Sequence, residues 1–212
     1  MSMASDARFW DRTSRKYAKS TISDMPGYER TLDRTRKLLG SGGRVLELGC
    51  GTGTTALRLA EATQRYLATD VSTEMIRIAE EKHAASPVSP LTFRIATADT
   101  LESETGQFDA VLGFNYLHLV RDLPGTLHRI HAMLVPGGLF ISKTPCLGDM
   151  NPLIRLVLLP VLRAIGKAPY VEAFRSTELC ELLSSSGFDI AATEHHATKS
   201  EVGRPYIVAR KR

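Results

Sequence analysis

Cysteine is scarce and unpaired in this chain. Cys50, Cys146 and Cys180 are the three among 212 residues. They lie far apart and form no CxxC pair, which argues against a disulfide framework or a zinc site and fits a reducing compartment. Long apolar runs are missing as well. In the most apolar segment the longest uncharged stretch, Leu156 to Leu162, is seven residues, far short of the roughly 20 that cross a bilayer. The N-terminal "MSMASDARFWDRTSRKYAKS" has no apolar core, and its Asp6 and Asp11 speak against a transit peptide, so no targeting segment is expected and the protein reads as cytoplasmic. No glycine-rich turn is followed by GK[ST], which excludes a P-loop, and there is neither an internal repeat nor a low-complexity tract. The formal charge of +4 is mild, and many proteins without an anionic partner carry as much.

What is present is an alternation of apolar strands and amphipathic helices. "RVLEL" (44–48), "RYLAT" (65–69) and "FDAVLGF" (108–114) read as buried strands, and "LTFRI" (91–95) alternates as a strand covered on one face near a sheet edge. Helices are expected over 54–62, after an N-cap at Ser72 with Met75, Ile76 and Ala79 facing inward, over about 123–134, and through "STELCELLSSSGF" with Gly187 as its stop. "PGG" (136–138) turns into the fifth strand, "LFISKT", and "DIAATEH" and "RPYIVAR" close the chain as an antiparallel pair. The pattern is that of an α/β fold, a doubly wound and mostly parallel sheet with helices on both faces. One domain is expected over 1–212, with a helical N-terminal arm at 1–39 and an insert at 149–174.

"VLELGCGTG" places Gly49, Gly51 and Gly53 in the turn that leaves the first strand. Without Cβ atoms these positions let a ligand touch backbone, and the helix start that follows offers unpaired N–H groups. The spacing is GxGxG, and Thr54 stands where a dinucleotide GxGxxG would need its last glycine. Asp70 ends the next strand about 20 residues on, where an acidic side chain can take ribose hydroxyls.

"VLELGCGTG" followed by "ATD", "ATADTLE", "FDAVLGFNYLHLV" and "MLVPGGLFI" resembles the class I S-adenosylmethionine-dependent methyltransferases, and in particular small-molecule methyltransferases of the type 11 and quinone-methyltransferase kind. The resemblance covers roughly residues 40 to 145. It implies seven strands in the order 3-2-1-4-5-7-6 with the last antiparallel, a Rossmann-like sheet, and S-adenosyl-L-methionine as cofactor with S-adenosyl-L-homocysteine as product. Residue by residue it implies that Glu47, Gly49, Cys50, Gly51 and Gly53 surround the methionine portion, that Asp70 takes the ribose hydroxyls with Val71 near the adenine, that Asp99 and Thr100 meet the adenine edge, and that Asn115 lies near the methionine amino group. Tyr17, in an arm that folds over the cofactor as a lid, would reach its carboxylate.

The activated methyl group of such a donor needs chiefly an acceptor held in line and shielded from water. His118, just past the fourth strand, is the candidate general base, with packing beside the cofactor as its bland alternative. His128 and His131 share a helix side, but no third metal ligand accompanies them, and no metal is expected. On a helical wheel Arg155, Arg163 and Lys167 of the insert fall within about 120°, and Pro160 should kink or divide that helix. A basic amphipathic helix over 152–168 can cover an apolar substrate, pack on the core, or touch a membrane peripherally. The expected partner is a small apolar methyl acceptor (quinone-, lipid- or secondary-metabolite-like), in a monomer or homodimer. A nucleic-acid methyltransferase is the alternative, disfavoured because Asn115 is followed by Tyr116 without the prolines of [DN]PP[YFW]. A non-catalytic S-adenosylmethionine-binding protein is a further one.

Overall fold

β1 (Arg44–Leu48) is central, and its neighbours explain its composition: β2 (Arg65–Asp70) and β4 (Phe108–Phe114) pair with it in parallel on either side. Helices cover both faces, so all but its first residue are buried, and the sequence shows an apolar run rather than an alternation. The computed structural model describes residues 3–150, 153, 159–198 and 203–212. With β3 (Leu91–Ile95), β5 (Leu134–Lys143), β6 (Phe188–Glu194) and β7 (Tyr206–Lys211), the sheet runs β3-β2-β1-β4-β5-β7-β6. β7 is antiparallel to both its neighbours. This is the expected order, with the expected terminal pair.

Two apolar layers flank the sheet. Leu46, Leu48, Val111 and Phe140 point to one face, while Val45, Tyr66, Ala68 and Leu112 point to the other, as the period of two along each strand requires. α1 (Met3–Ala18) and α2 (Met25–Leu39) form the N-terminal arm. α3 is only Ala56–Leu59, continued by a 3-10 turn at Ala60–Ala62, so the helix expected from 54 starts later and ends looser. α4 (Thr73–Ala85) begins as expected at Ser72, whose hydroxyl accepts from Met75 N at 3.1 Å. A second cap was not legible: Asp11 of α1 accepts from the Ser72 hydroxyl at 2.6 Å and from Glu74 N at 3.1 Å. A carboxylate at a helix start is favoured by the backbone dipole, and here it docks the arm.

α5 (Leu123–Met133) stops one residue short of expectation, because Leu134 already pairs with Phe108 as the start of β5. The Pro136-Gly137-Gly138 turn is a bulge inside that strand, between the Phe108–Leu134 and Ala110–Leu139 pairs. A bulge tolerates a proline that cannot donate to the ladder. On β3, Leu91 is buried and Phe93 half-buried, but Ile95 is 52% exposed, so the cover inferred from its alternation ends before the strand does. α6 (Leu159–Ala164) and α7 (Ser176–Ser185) follow β5. Pro160 is the second described residue of α6, and whether it kinks or divides the helix, as expected, turns on residues 154–158, which lie outside the described residues. Arg155 and most of 151–158 lie outside the described residues.

Candidate active site

The chain runs β1, β2, β3 outward and then crosses over to β4 on the other side of β1. At such a switch point the loops leave in opposite directions and open a crevice at the carboxyl ends of the strands. A cavity of about 510 Å³ lies there, within the range of small-molecule sites. Most of its walls come from strand ends: Gly49 and Gly51 after β1, Asp70 and Val71 at β2, Thr97 and Asp99 after β3, Asn115, Tyr116 and His118 after β4, Pro145 after β5 and Arg204 before β7, with Met75 of α4 and Thr126 of α5 beside them. Asp6, Trp10 and Tyr17 of α1 close it from above.

Tyr17, Gly49, Gly51, Asp70, Val71, Asp99, Asn115 and His118 therefore share one cavity. Glu47, Cys50, Gly53 and Thr100 do not line it. Glu47 points across the sheet, where its carboxylate accepts from the Tyr66 hydroxyl at 2.7 Å. Cys50 is buried, and burial pushes its thiol well up, far from a nucleophilic thiolate. Gly53 packs on the protein itself, since a Cβ there would lie 2.8 Å from Ala79 Cβ and from Phe93 Cζ. Thr100 turns back to close its own loop, accepting from Thr97 N at 3.0 Å.

The electrostatics follow from burial. Asp70 is 8% exposed, and its oxygens accept from Gly51 N and Ser72 N, each at 2.9 Å. These bonds tie the glycine turn to the β2 end and leave lone pairs directed at the cavity. Burial raises the Asp70 carboxyl, against the backbone N–H groups that lower it. Asn115 has φ 51°, the one non-glycine residue with positive φ among the described residues, and its N–H donates to Lys143 O at 2.8 Å. A strained backbone at a strand end beside a cavity is a mark of a working site. His118 Nδ1 lies 3.1 Å from Thr144 Oγ1, leaving Nε2 for the cavity. Burial, and then the charge of Arg204, hold its imidazole down at about 4, so it is neutral at physiological pH.

Glu47 carries a prediction of its own. Burial pushes its carboxyl up to about 7, the Tyr66 bond opposing and the Asp70 charge adding. The folded chain therefore binds this proton more tightly than the unfolded chain, so the stabilisation is complete below the ordinary value of 4.5 and is lost as pH rises through about 7. Glu47→Gln keeps an acceptor for Tyr66. It should exceed the parent in stability by about 1–3 kcal/mol above pH ~8, the difference fading below pH ~5. Urea unfolding at both pH values measures it, and a pH-independent difference would contradict the account.

Tyr116, Thr97 and Arg204 also line the cavity, although no cofactor role was expected of them, and Trp10 lines it from the arm expected as a lid. Tyr116 fills the space left by the missing side chain of Gly49, where a Cβ would come 2.8 Å from its Cδ2. Thr97 Oγ1 is buried without a hydrogen-bond partner among the described residues, and its place inside "ATADTLE" was its one sequence signal. His131 packs edge-on to Phe188 at 5.2 Å, and His196 is buried against Tyr206 and bonded to Thr31 and Glu194. Both act in packing.

Residues 45–138 match a family described as a methyltransferase domain. An arginine-hydroxylase, NDUFAF5 of Danio rerio, is 28% identical over 199 residues, 87% of this chain and 60% of the relative. A ubiquinone biosynthesis O-methyltransferase of Methylocella silvestris is 35% identical over 101 residues, 48% of this chain and 39% of the relative. The chain thus spans only 39% to 60% of the length of these two curated relatives. Among solved structures, an S-adenosylmethionine-dependent methyltransferase of Mesorhizobium loti superposes with a TM-score of 0.71 at 22% identity, over 87% of this chain and 98% of its own. Residues 45–138 thus match a methyltransferase domain, and the sheet order and the superposition show that the chain has the fold of the S-adenosylmethionine-dependent methyltransferases.

Proposed function

We propose that this protein transfers the methyl group of S-adenosylmethionine to a small, largely apolar acceptor. The observation that carries this is one cavity lined by the glycine turn, Asp70, Asn115 and His118 together. The residues fit such a cofactor. Gly51 presents bare backbone to the cavity, Asp70 keeps free lone pairs for vicinal hydroxyls, and the buried Thr97 hydroxyl awaits a polar edge. When bound, the cofactor supplies a sulfonium-activated methyl group. The chain's own residues then have three tasks.

The first is grip, through the turn and Asp70. The second is orientation, for which Trp10, Leu119, Val120 and Pro145 give the acceptor end apolar walls; holding reactants in line supplies roughly 7–11 kcal/mol of a barrier. The third is proton handling. A neutral His118 with Nε2 toward the cavity can accept a hydrogen bond or a proton from the acceptor, while Thr144 fixes its ring. Isothermal titration with S-adenosylhomocysteine tests the reading. Micromolar binding is expected, and failure to bind would overturn it.

The arm serves as a lid in this proposal. Asp6 of α1 makes a two-pronged pair with Arg121, at 2.8 and 2.9 Å. The Arg121 guanidinium lies 4.2 Å over the Tyr170 ring, and Arg163 of α6 approaches the same ring at 5.2 Å. Glu172 N donates to His118 O at 2.7 Å. Arm, post-β4 segment and insert are thereby clasped at the mouth of the cavity, the place where the insert would cover an apolar acceptor. Because the pair is partly exposed it is worth about 1 kcal/mol, so Asp6→Asn should speed S-adenosylhomocysteine release about 3- to 10-fold with little change in melting temperature. Stopped-flow Trp10 fluorescence reads the release, and an unchanged rate would refute the lid.

A further inference from the structure

We infer that the outer face of α1 docks this protein on an anionic lipid bilayer, while the inner face of the same helix covers the cavity. Residues 1–39 hold nine Lys and Arg against five Asp and Glu, so the whole excess of +4 belongs to the arm and the rest of the chain is balanced. Within α1 the charges are sorted by face. At 100° per residue Asp6, Trp10 and Tyr17, which line the cavity, fall within about 40° of one another. Arg8, Arg12, Arg15 and Lys16 fall within about 100°, centred on the opposite side, and Lys19 continues their row just past the helix. All five are exposed, and no ion pair among the described residues engages them. The two acids of α1 are spent inward, Asp6 on Arg121 and Asp11 on the start of α4. The outer face is left with a row of like charge.

Such a row attracts any polyanion, and its apolar neighbours select among them. Ile22 and Met25, where the chain turns from α1 into α2, are 37% and 46% exposed. An anionic bilayer meets both features, with phosphates for the cations and acyl chains for the apolar side chains. A nucleic-acid backbone offers Ile22 and Met25 nothing, and a single strand needs aromatic platforms. The rings of α1 are committed elsewhere: Trp10 and Tyr17 line the cavity, and Phe9 packs edge-on against Trp10 at 5.3 Å. Clusters of four or more Lys and Arg are held by the surface potential of anionic membranes. Because α1 keeps its aromatic side on the protein, it rests on the headgroups rather than among acyl chains, and the attachment is reversible and sensitive to salt. Docking and cofactor binding use opposite faces and are therefore compatible. The cavity comes to lie one helix diameter, about 10 Å, beneath the headgroups, close to where an apolar acceptor concentrates; this consequence alone rests on the proposed function.

The test is co-sedimentation of the full-length protein with vesicles of phosphatidylcholine containing about 30% phosphatidylserine, compared with phosphatidylcholine alone. The parent should bind the anionic vesicles about tenfold better or more, and raising salt from about 0.1 to 0.5 M should release it. Arg8→Gln/Arg12→Gln/Arg15→Gln should weaken binding about 30-fold or more. Its melting temperature and S-adenosylhomocysteine affinity should match the parent's, since none of the three residues lines the cavity. Adding Glu61→Gln, Glu80→Gln and Glu181→Gln, all at exposed positions, restores the net charge and should not restore binding. Ile22→Ser with Met25→Ser should weaken the parent about threefold or more and keep the salt dependence. Equal binding of both vesicle types, binding regained once net charge is restored, or displacement of the parent from vesicles by an RNA duplex at equal phosphate concentration would each overturn the inference. Failure of the parent to bind S-adenosylhomocysteine would instead overturn the proposed function and leave the docking face standing.

Discussion

Asp70→Asn should weaken S-adenosylhomocysteine binding about 100-fold or more while the chain stays folded. The carboxylate sits at the β2 end, accepts from Gly51 N and Ser72 N, and faces the cavity. Two charge-assisted bonds to ribose hydroxyls, each worth about 1.5–3 kcal/mol, would be lost or inverted, because the amide offers one acceptor oxygen and a donor group where donors already converge. About 3 kcal/mol corresponds to roughly 100-fold in affinity. The same change leaves one backbone N–H short of a partner, so a modest fall in stability accompanies it. Calorimetry with thermal unfolding on the same sample separates the two effects. A variant that binds within about fivefold of the parent would remove Asp70 from the proposed cofactor grip.

Most of the fold was open to a reading of the residues, since buried parallel strands announce themselves as short apolar runs and their order follows once the glycine turn is recognised. The errors have one origin: local pattern was asked to report tertiary cover. Leu134 has helical spacing from Leu127 and Ile130, yet its pairing with Phe108 claims it for β5. Ile95 alternates with Leu91 and Phe93 as a core residue would, and is half exposed because, among the described residues, the cover ends before the edge strand does.

The site divides in the same way. Gly49, Gly51 and Asp70 are found by their motif because the motif is the geometry. Glu47, two residues before the turn, is buried inside the sheet layer and spends its carboxylate on the Tyr66 hydroxyl of the neighbouring strand. Arg204 and the Asp6–Arg121 clasp could not be read at all. They join segments 86 and 115 residues apart, His118 with Arg204 and Asp6 with Arg121, and only the folded chain brings such pairs together. Asp11 was visible merely as an acidic residue in a basic arm, and its docking on the start of α4 required both helices in place.

Gly53→Ala should cost about 2–5 kcal/mol of stability and leave the cavity wall untouched. Two terms add. The residue has φ +73°, a left-handed conformation that costs a side chain about 1–2 kcal/mol. The new Cβ would also stand 2.8 Å from both Ala79 Cβ and Phe93 Cζ, inside contact distance of α4 and β3 at once, and overpacking of this kind costs about 1–3 kcal/mol. Against a net stability of about 5–15 kcal/mol, a loss this size lowers the melting temperature by about 5–15 °C for a domain of this length. Gly51→Ala probes the other role of the turn: at φ +55° it carries the same left-handed cost of about 1–2 kcal/mol, but its Cβ would meet Tyr17 Cε1 at an ordinary 3.5 Å, so overpacking adds little, while the added methyl faces the cavity and should weaken S-adenosylhomocysteine. Phe93→Leu in the Gly53→Ala background shortens the ring that the methyl strikes and should recover part of the lost stability, a coupling that a double-mutant cycle measures. A Gly53→Ala protein as stable as its parent would mean that the third glycine is not there to let α4 and β3 close on the turn.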